Sequence, residues 1–188
     1  MNPLEVTAVA FGIVAVFLNA RQNPWGWGAS LVNVGLFTLI FYRGQLYALM
    51  GLQVCFGAIS AYGWYHWLRG GTAQRGVGVS AIARPTAAGL GALALVSGAL
   101  LGWALDRFTP DQQPYLDAGI AVISLAAQWM MARKYVECWV IWVAVNLISV
   151  PFFLYRGEYP TALQYSVFLV LAVNGLRSWR RALHAARA

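Results

Sequence analysis

The chain has 188 residues, of which 60% are hydrophobic and only 10% charged, with a formal net charge of +7. An average soluble domain carries about 25% charged residues, and a fold of this size has no interior large enough for so much apolar surface. The composition excludes a soluble globular domain and implies an all-α membrane protein that crosses the bilayer several times.

Seven apolar spans follow in chain order: Pro3–Ala20, Trp25–Tyr42, Gln45–Leu68, Pro85–Leu105, Tyr115–Ala132, Val136–Tyr155 and Thr161–Trp179. Each is close to the ~20 residues a helix needs to cross the hydrocarbon. The remainder leaves no room for a separate soluble domain. The start, Met-Asn-Pro-Leu-Glu, has no basic segment before its apolar run, so the first span reads as part of the bundle and not as a cleaved leader.

The excess of positive charge sits at span ends. With the N-terminus outside, the inner segments hold Arg21, Arg69, Arg75, Arg84, Arg133, Lys134, Arg177, Arg180, Arg181 and Arg187, and the outer ones hold Arg43, Arg107 and Arg156. This asymmetry encodes orientation, N-terminus out and C-terminus in the cytoplasm. It excludes nucleic acid as a partner, because no soluble basic face exists. Cys55 and Cys138 have no zinc spacing and read as small buried hydrophobes. No metal and no cofactor is expected.

The first and last thirds resemble each other. Phe41-Tyr42-Arg43-Gly44 corresponds to Leu154-Tyr155-Arg156-Gly157 at a separation of 113, as does Asn33 to Asn146. Ala20-Arg21 matches Ala132-Arg133, Gly63 matches Gly175 and Trp67 matches Trp179 at 112. The expected organisation is a first three-helix repeat over 1–68, a flexible cytoplasmic linker over 69–84, a linking transmembrane helix over 85–105 and a second three-helix repeat over 115–182. An odd number of crossings between two three-helix units makes the repeats parallel, a 3+1+3 plan shared with the SWEET sugar transporters. Two such units facing each other create an interface near the midplane.

Polar side chains at membrane depth should line that interface. On the sixth span Trp139, Trp142, Asn146 and Ser149 share one helix face. Two indole planes beside an amide form a pocket wall for a flat polar molecule. Gln53 on the third span, Gln128 on the fifth, Gln164 and Asn174 on the seventh, and Asn33 on the second are further candidates. The linking span carries no carboxamide. Each amide has an alternative role as a hydrogen bond between helices, worth about 0.6–2 kcal/mol. Asn146 is favoured as a ligand contact because only its helix has the Trp pair. The positions matching Trp139 and Trp142 are taken as Gly26 and Ala29, so the binding wall breaks the two-fold pattern. Trp25, Trp27, Trp67, Trp103 and Trp179 lie at span ends and read as an interfacial belt. No catalytic constellation, mid-membrane carboxylate or Walker-type Gly-Lys-Ser/Thr is present, which favours uncoupled diffusion over pumping or catalysis.

The block Trp139-x-x-Trp142-x-x-x-Asn146, the Tyr155-Arg156-Gly157 turn and the seven-span plan resemble the PnuC vitamin transporters, from Leu4 to Arg181. The resemblance implies import of nicotinamide riboside across the bacterial inner membrane by facilitated diffusion, a homotrimer with a path in each protomer, and Trp139 and Trp142 at the substrate site. It implies that Gln53, Gln128, Asn146, Gln164 and Asn174 hold the amide and ribose. Relatives within the family carry thiamine, riboflavin or deoxynucleosides, and this chain lacks a long N-terminal extension. A pyridinium over an indole face gains about 0.5–2 kcal/mol; thiamine, also a flat cation, suits the same wall. A sugar carrier and a scaffold whose amides only join helices are the rival readings.

Overall fold

The structure is a computed structural model, which describes residues 3–70, 77–109, 113–157 and 159–186. The described residues form seven helices: α1 (Pro3–Ala20), α2 (Trp25–Arg43), α3 (Tyr47–Arg69), α4 (Arg84–Phe108), α5 (Pro114–Ala132), α6 (Cys138–Tyr155) and α7 (Tyr159–Ala185). Their bounds follow the apolar runs closely. Proline occupies the first turn of α4 and α5, where no helical N–H is lost. By length and composition, α1, α2, α4, α5 and α6 are apolar enough to cross a membrane. α3 and α7 are also long, at 23 and 27 residues. Gln, His and Tyr dilute α3, and the run Arg177-Ser-Trp-Arg-Arg dilutes α7.

The helices pack in a closed circuit: α1 on α2, α2 on α3, α3 on α5, α5 on α6, α6 on α7 and α7 back on α1. α4 stands outside and touches α5 alone. The ends of the helices therefore fall on two faces. One face gathers Arg21, Arg69, Arg84, Arg133, Lys134, Arg180 and Arg181, and is called here the basic end. Arg75 and Arg187 lie outside the described residues.

Backbone features recur at a constant interval of 112 residues. Gln22 has φ 58° and Lys134 φ 57°; Gln45 has φ 57° and Gly157 φ 73°. The hydrogen bonds of the turns recur too: Asn23 N–H to Leu18 O and Tyr135 N–H to Met130 O are both 2.9 Å, and Gln45 to Tyr42 and Gly157 to Leu154 are both 3.1 Å. Of these four left-handed positions only Gly157 is free of Cβ strain. The interval corrects the sequence reading at two points. Gly44, with φ −80°, is not the counterpart of Gly157; Gln45 is. Because 112 holds at both ends of α2 and α6, Asn33 lies opposite Val145, and Asn146 opposite Val34.

The core lies at the basic end. Ala20, Trp27, Trp67, Met130, Met131, Ala132, Val136, Cys138, Trp139, Ala172 and Trp179 form one buried cluster. Trp27, Trp67 and Trp179 are 0%, 5% and 0% exposed, so the belt expectation is overturned for these three. Trp27 is drawn inward, as is Trp139, because Gly63 and Gly175 leave room, and Trp67 and Trp179 turn inward to donate to Ala132 O and Asn19 O. A Cβ on Gly63 would lie 2.8 Å from the Trp27 ring, and one on Gly175 would lie 2.7 Å from the Trp139 ring. Trp25 and Trp103 remain exposed. Towards the opposite end of the circuit, burial among the described residues is confined to small residues of α1, α5 and α7, namely Ala8, Ala118 and Ala162. No residue is fully buried beyond Ser30 in α2, before Ser60 in α3 or beyond Asn146 in α6.

The segment between α3 and α4 was expected to be flexible. Its described part is docked on the α5–α6 turn. Ser80 N–H bonds Lys134 O and Val136 N–H bonds Ser80 O, each at 3.0 Å. The Ile82 N–H reaches the Glu137 carboxylate at 3.1 Å, and Lys134 Nζ reaches Val77 O at 2.7 Å. Val79 and Ile82 pack on the core, which explains why the strap does not float. Residues 71–76 of this linker lie outside the described residues.

Candidate functional site

A cavity of about 420 Å³ occupies the centre of the helix circuit. All six circuit helices contribute to its wall and α4 contributes nothing. The volume falls within the range of small-molecule sites, and the wall combines apolar surface with a few polar groups, as such sites do. No charged side chain lines it. Any positive charge on a ligand would meet only ring faces and amide dipoles there.

Seven of the eight candidate residues meet at this cavity: Asn33, Gln53, Gln128, Trp139, Trp142, Asn146 and Gln164. Asn174 does not; it is exposed on the outside of α7. Ten residues of α-helix fall about 80° short of whole turns, so Asn174 leaves the face that carries Gln164, Phe168 and Ala172. Ser30 and Phe37 share the helix face of Asn33, as the spacing predicts, and line the wall with it; sequence periodicity missed Asn19, Met131 and Tyr165, also in the wall. Asn19 is buried, and its place in the last turn of α1 gave no cue.

The amides are not equivalent. Asn33 Nδ2 donates to Ala8 O at 2.7 Å, tying α2 to α1 across Gly12, whose absent side chain leaves room for the amide. Asn146, 3% exposed, donates from Nδ2 to Trp142 O at 2.6 Å within its own helix. That bond fixes the orientation of its amide beside the Trp142 ring. Gln128 Nε2 is 3.4 Å from Ser60 Oγ, a long contact that leaves the group adaptable.

The two indoles of α6 also differ. Trp139 is fully buried over Gly175 and meets Trp179 edge-on, with centroids 5.5 Å apart at 83°. Trp27 repeats this arrangement: it lies over Gly63 and meets Trp67 at 5.4 Å and 90°. Trp139 therefore has a matched tryptophan, contrary to the sequence reading, which placed Gly26 there. Trp142 does not; its counterpart at the 112 interval is Ser30, on the opposite wall of the cavity. The indole N–H groups of Trp27, Trp139 and Trp142, and Asn19 Oδ1, are buried without a hydrogen-bond partner among the described residues. Cys55 is exposed and Cys138 buried, both as free thiols. Among the described residues, no cluster of His, Cys, Asp or Glu could hold a metal.

Comparison with known proteins agrees with this architecture. The sequence profile of the family described as nicotinamide mononucleotide transporter matches residues 2–181. The nicotinamide riboside transporter PnuC of Escherichia coli (strain K12) is 32% identical over 202 residues, covering 94% of this chain and 84% of that protein. The riboflavin/roseoflavin transporter RibM of Streptomyces davaonensis is 30% identical over 174 residues, covering 89% and 80%. The crystal structure of the vitamin B3 transporter PnuC superimposes with a TM-score of 0.77 over 98% of this chain and 84% of that one, at 23% identity. The chain thus belongs to the nicotinamide mononucleotide transporter family, whose members are multi-pass membrane transporters and not enzymes.

Proposed function

We propose that this protein imports nicotinamide riboside across the bacterial inner membrane by facilitated diffusion, with alternating access to the central cavity. The observation that carries the reading is an uncharged cavity walled by Trp142, Asn146 and glutamines from three helices. A pyridinium is a flat cation that an indole face attracts without a carboxylate, and its amide and ribose match carboxamide donors and acceptors. Trp142 supplies the stacking face, Trp139 the floor, and Gln53, Gln128, Gln164, Asn33 and Asn146 the polar contacts. The PnuC relative of Escherichia coli supports the choice of substrate. No carboxylate, histidine or amine lines the wall to relay a proton, which favours uncoupled movement.

In this reading all seven helices cross the bilayer, α3 and α7 included. They form two parallel three-helix units joined by α4, in the SWEET-like 3+1+3 plan. The basic end faces the cytoplasm by the positive-inside rule, so the N-terminus is outside. The assembly is a homotrimer. The 112-residue recurrence of turn φ values and tryptophan packing supports the repeat. The 30% identity to the riboflavin/roseoflavin transporter favours riboflavin as the second reading.

Calorimetry of the purified protein with nicotinamide riboside, thiamine, riboflavin and a deoxynucleoside tests the proposal. Binding of nicotinamide riboside alone, weakened in Trp142→Ala, is the expected outcome. Tighter binding of riboflavin selects the second reading, and binding of none of the four sinks the vitamin reading.

A further inference from the structure

The basic end is closed by two hydrogen bonds that exchange partners between the halves of the chain. Trp67 of α3 donates its indole N–H to the carbonyl of Ala132, the last residue of α5, at 3.0 Å. Trp179 of α7 donates to the carbonyl of Asn19, in the last turn of α1, at 3.2 Å. Last-turn carbonyls lack a full set of partners within their own helix, and here each is met by an indole from the other half. The two rings also meet each other, with centroids 5.9 Å apart. Trp27 and Trp139 flank them edge-on. Asn19, Met131 and Trp139 belong at once to this layer and to the cavity wall. Among the described residues the opposite end has no comparable layer of large buried rings, and the cavity wall extends there to Phe41 and Thr161.

We propose that Trp67 and Trp179 are the gating residues of the basic end, held shut by their reciprocal indole-to-carbonyl bonds, and that the structure is the state open towards the other end. Two mutual bonds across one interface act as a two-state closure. Separating the halves breaks both and frees the path beneath Asn19 and Trp139. Opening does not require the bundle to unfold, because the bonds within each half, Trp27 over Gly63 and Trp139 over Gly175, are untouched. The inference rests on the carrier reading above, but its test does not depend on which molecule is carried.

The chain holds its own reporter. Cys138 begins α6 inside the closed layer and is fully buried. Cys55, on α3, is exposed and can be replaced. In a Cys55→Ser background, a membrane-impermeant maleimide is applied to each face of sealed vesicles in turn, and the rate of Cys138 labelling is measured. Trp67→Phe and Trp179→Phe keep a ring but remove the N–H. Each is expected to speed labelling from the basic face about fivefold, and the double variant more, with little change from the opposite face. An unchanged rate, or equal acceleration from both faces, overturns the proposal; the second result would mean general loosening. Either single variant suffices if the double one does not fold. If the protein binds no nicotinamide riboside but labels as described, the substrate assignment fails and the gate stands.

Discussion

The two three-helix halves share a skeleton and differ in what they show the cavity. α1–α3 and α5–α7 have the same turns, the same paired tryptophan and glycine, and the same indole reaching across to the other half. At most wall positions the match dissolves, although Phe56 keeps Phe168 and Trp139 keeps Trp27. Ser30 stands against Trp142, Val34 against Asn146, Asn19 against Met131 and Gln53 against Tyr165. Architecture resides in the residues that repeat, and the shape offered to a ligand resides in those that do not.

The largest expected effect separates Trp142 from Ser30. Trp142→Ala should weaken nicotinamide riboside binding by about 1–3 kcal/mol through lost ring area and cation–π attraction. Ser30→Ala should cost less than about 0.5 kcal/mol. Calorimetry measures both, and equal losses would erase the asymmetry. Next come the matched glycines. Gly63→Ala and Gly175→Ala each force an indole out of place and should cost about 1–3 kcal/mol of stability. Thermal unfolding in detergent should give similar values for the two. Only Gly175→Ala should also disturb binding, since Trp139 and not Trp27 lines the cavity.

A smaller contrast lies among the asparagines. Asn33→Ala removes the bond to Ala8 O and should cost about 0.6–2 kcal/mol. Asn174→Ala, on the exposed side of α7, should change stability by less than about 0.5 kcal/mol and binding not at all. A further small effect is expected at the turn, where Lys134 matches Gln22. Lys134 bonds Val77 O and lies 4.4 Å over the Trp67 ring, yet burial pulls its ammonium below the ordinary lysine range. Lys134→Gln trades these contacts against relief of a buried charge, for a net change within about 1 kcal/mol. Between the lowered folded value and the ordinary one the unfolded chain binds more protons. Wild-type stability should therefore rise with pH across that window, and the variant should lose that slope.

The helices were legible because apolar runs of bilayer length end in charges and prolines. The cavity was legible because amides at membrane depth need somewhere polar to point. Register was harder. The shared Tyr-Arg-Gly of the two outer turns pulls an alignment to 113, although the backbone obeys 112. A left-handed turn is set by φ, and Gln45 fills in the first half the position that Gly157 fills in the second. That single step hid the partnership of Trp27 with Trp139. The inward turn of Trp67 and Trp179 was equally hidden. A tryptophan near a span end has the same sequence signature whether it meets headgroups or another helix. What decides is the carbonyl each indole finds on the other half, Ala132 O for Trp67 and Asn19 O for Trp179.

The docked strap has a mechanical consequence. Residues 77–83 are bonded to the α5–α6 turn, and α4 touches α5 and no other helix. The connector therefore rides with the second half, which becomes a body of four helices facing one of three. In the proposed carrier the dividing line runs between α1–α3 and α4–α7, an asymmetry of mass that the repeat alone does not contain.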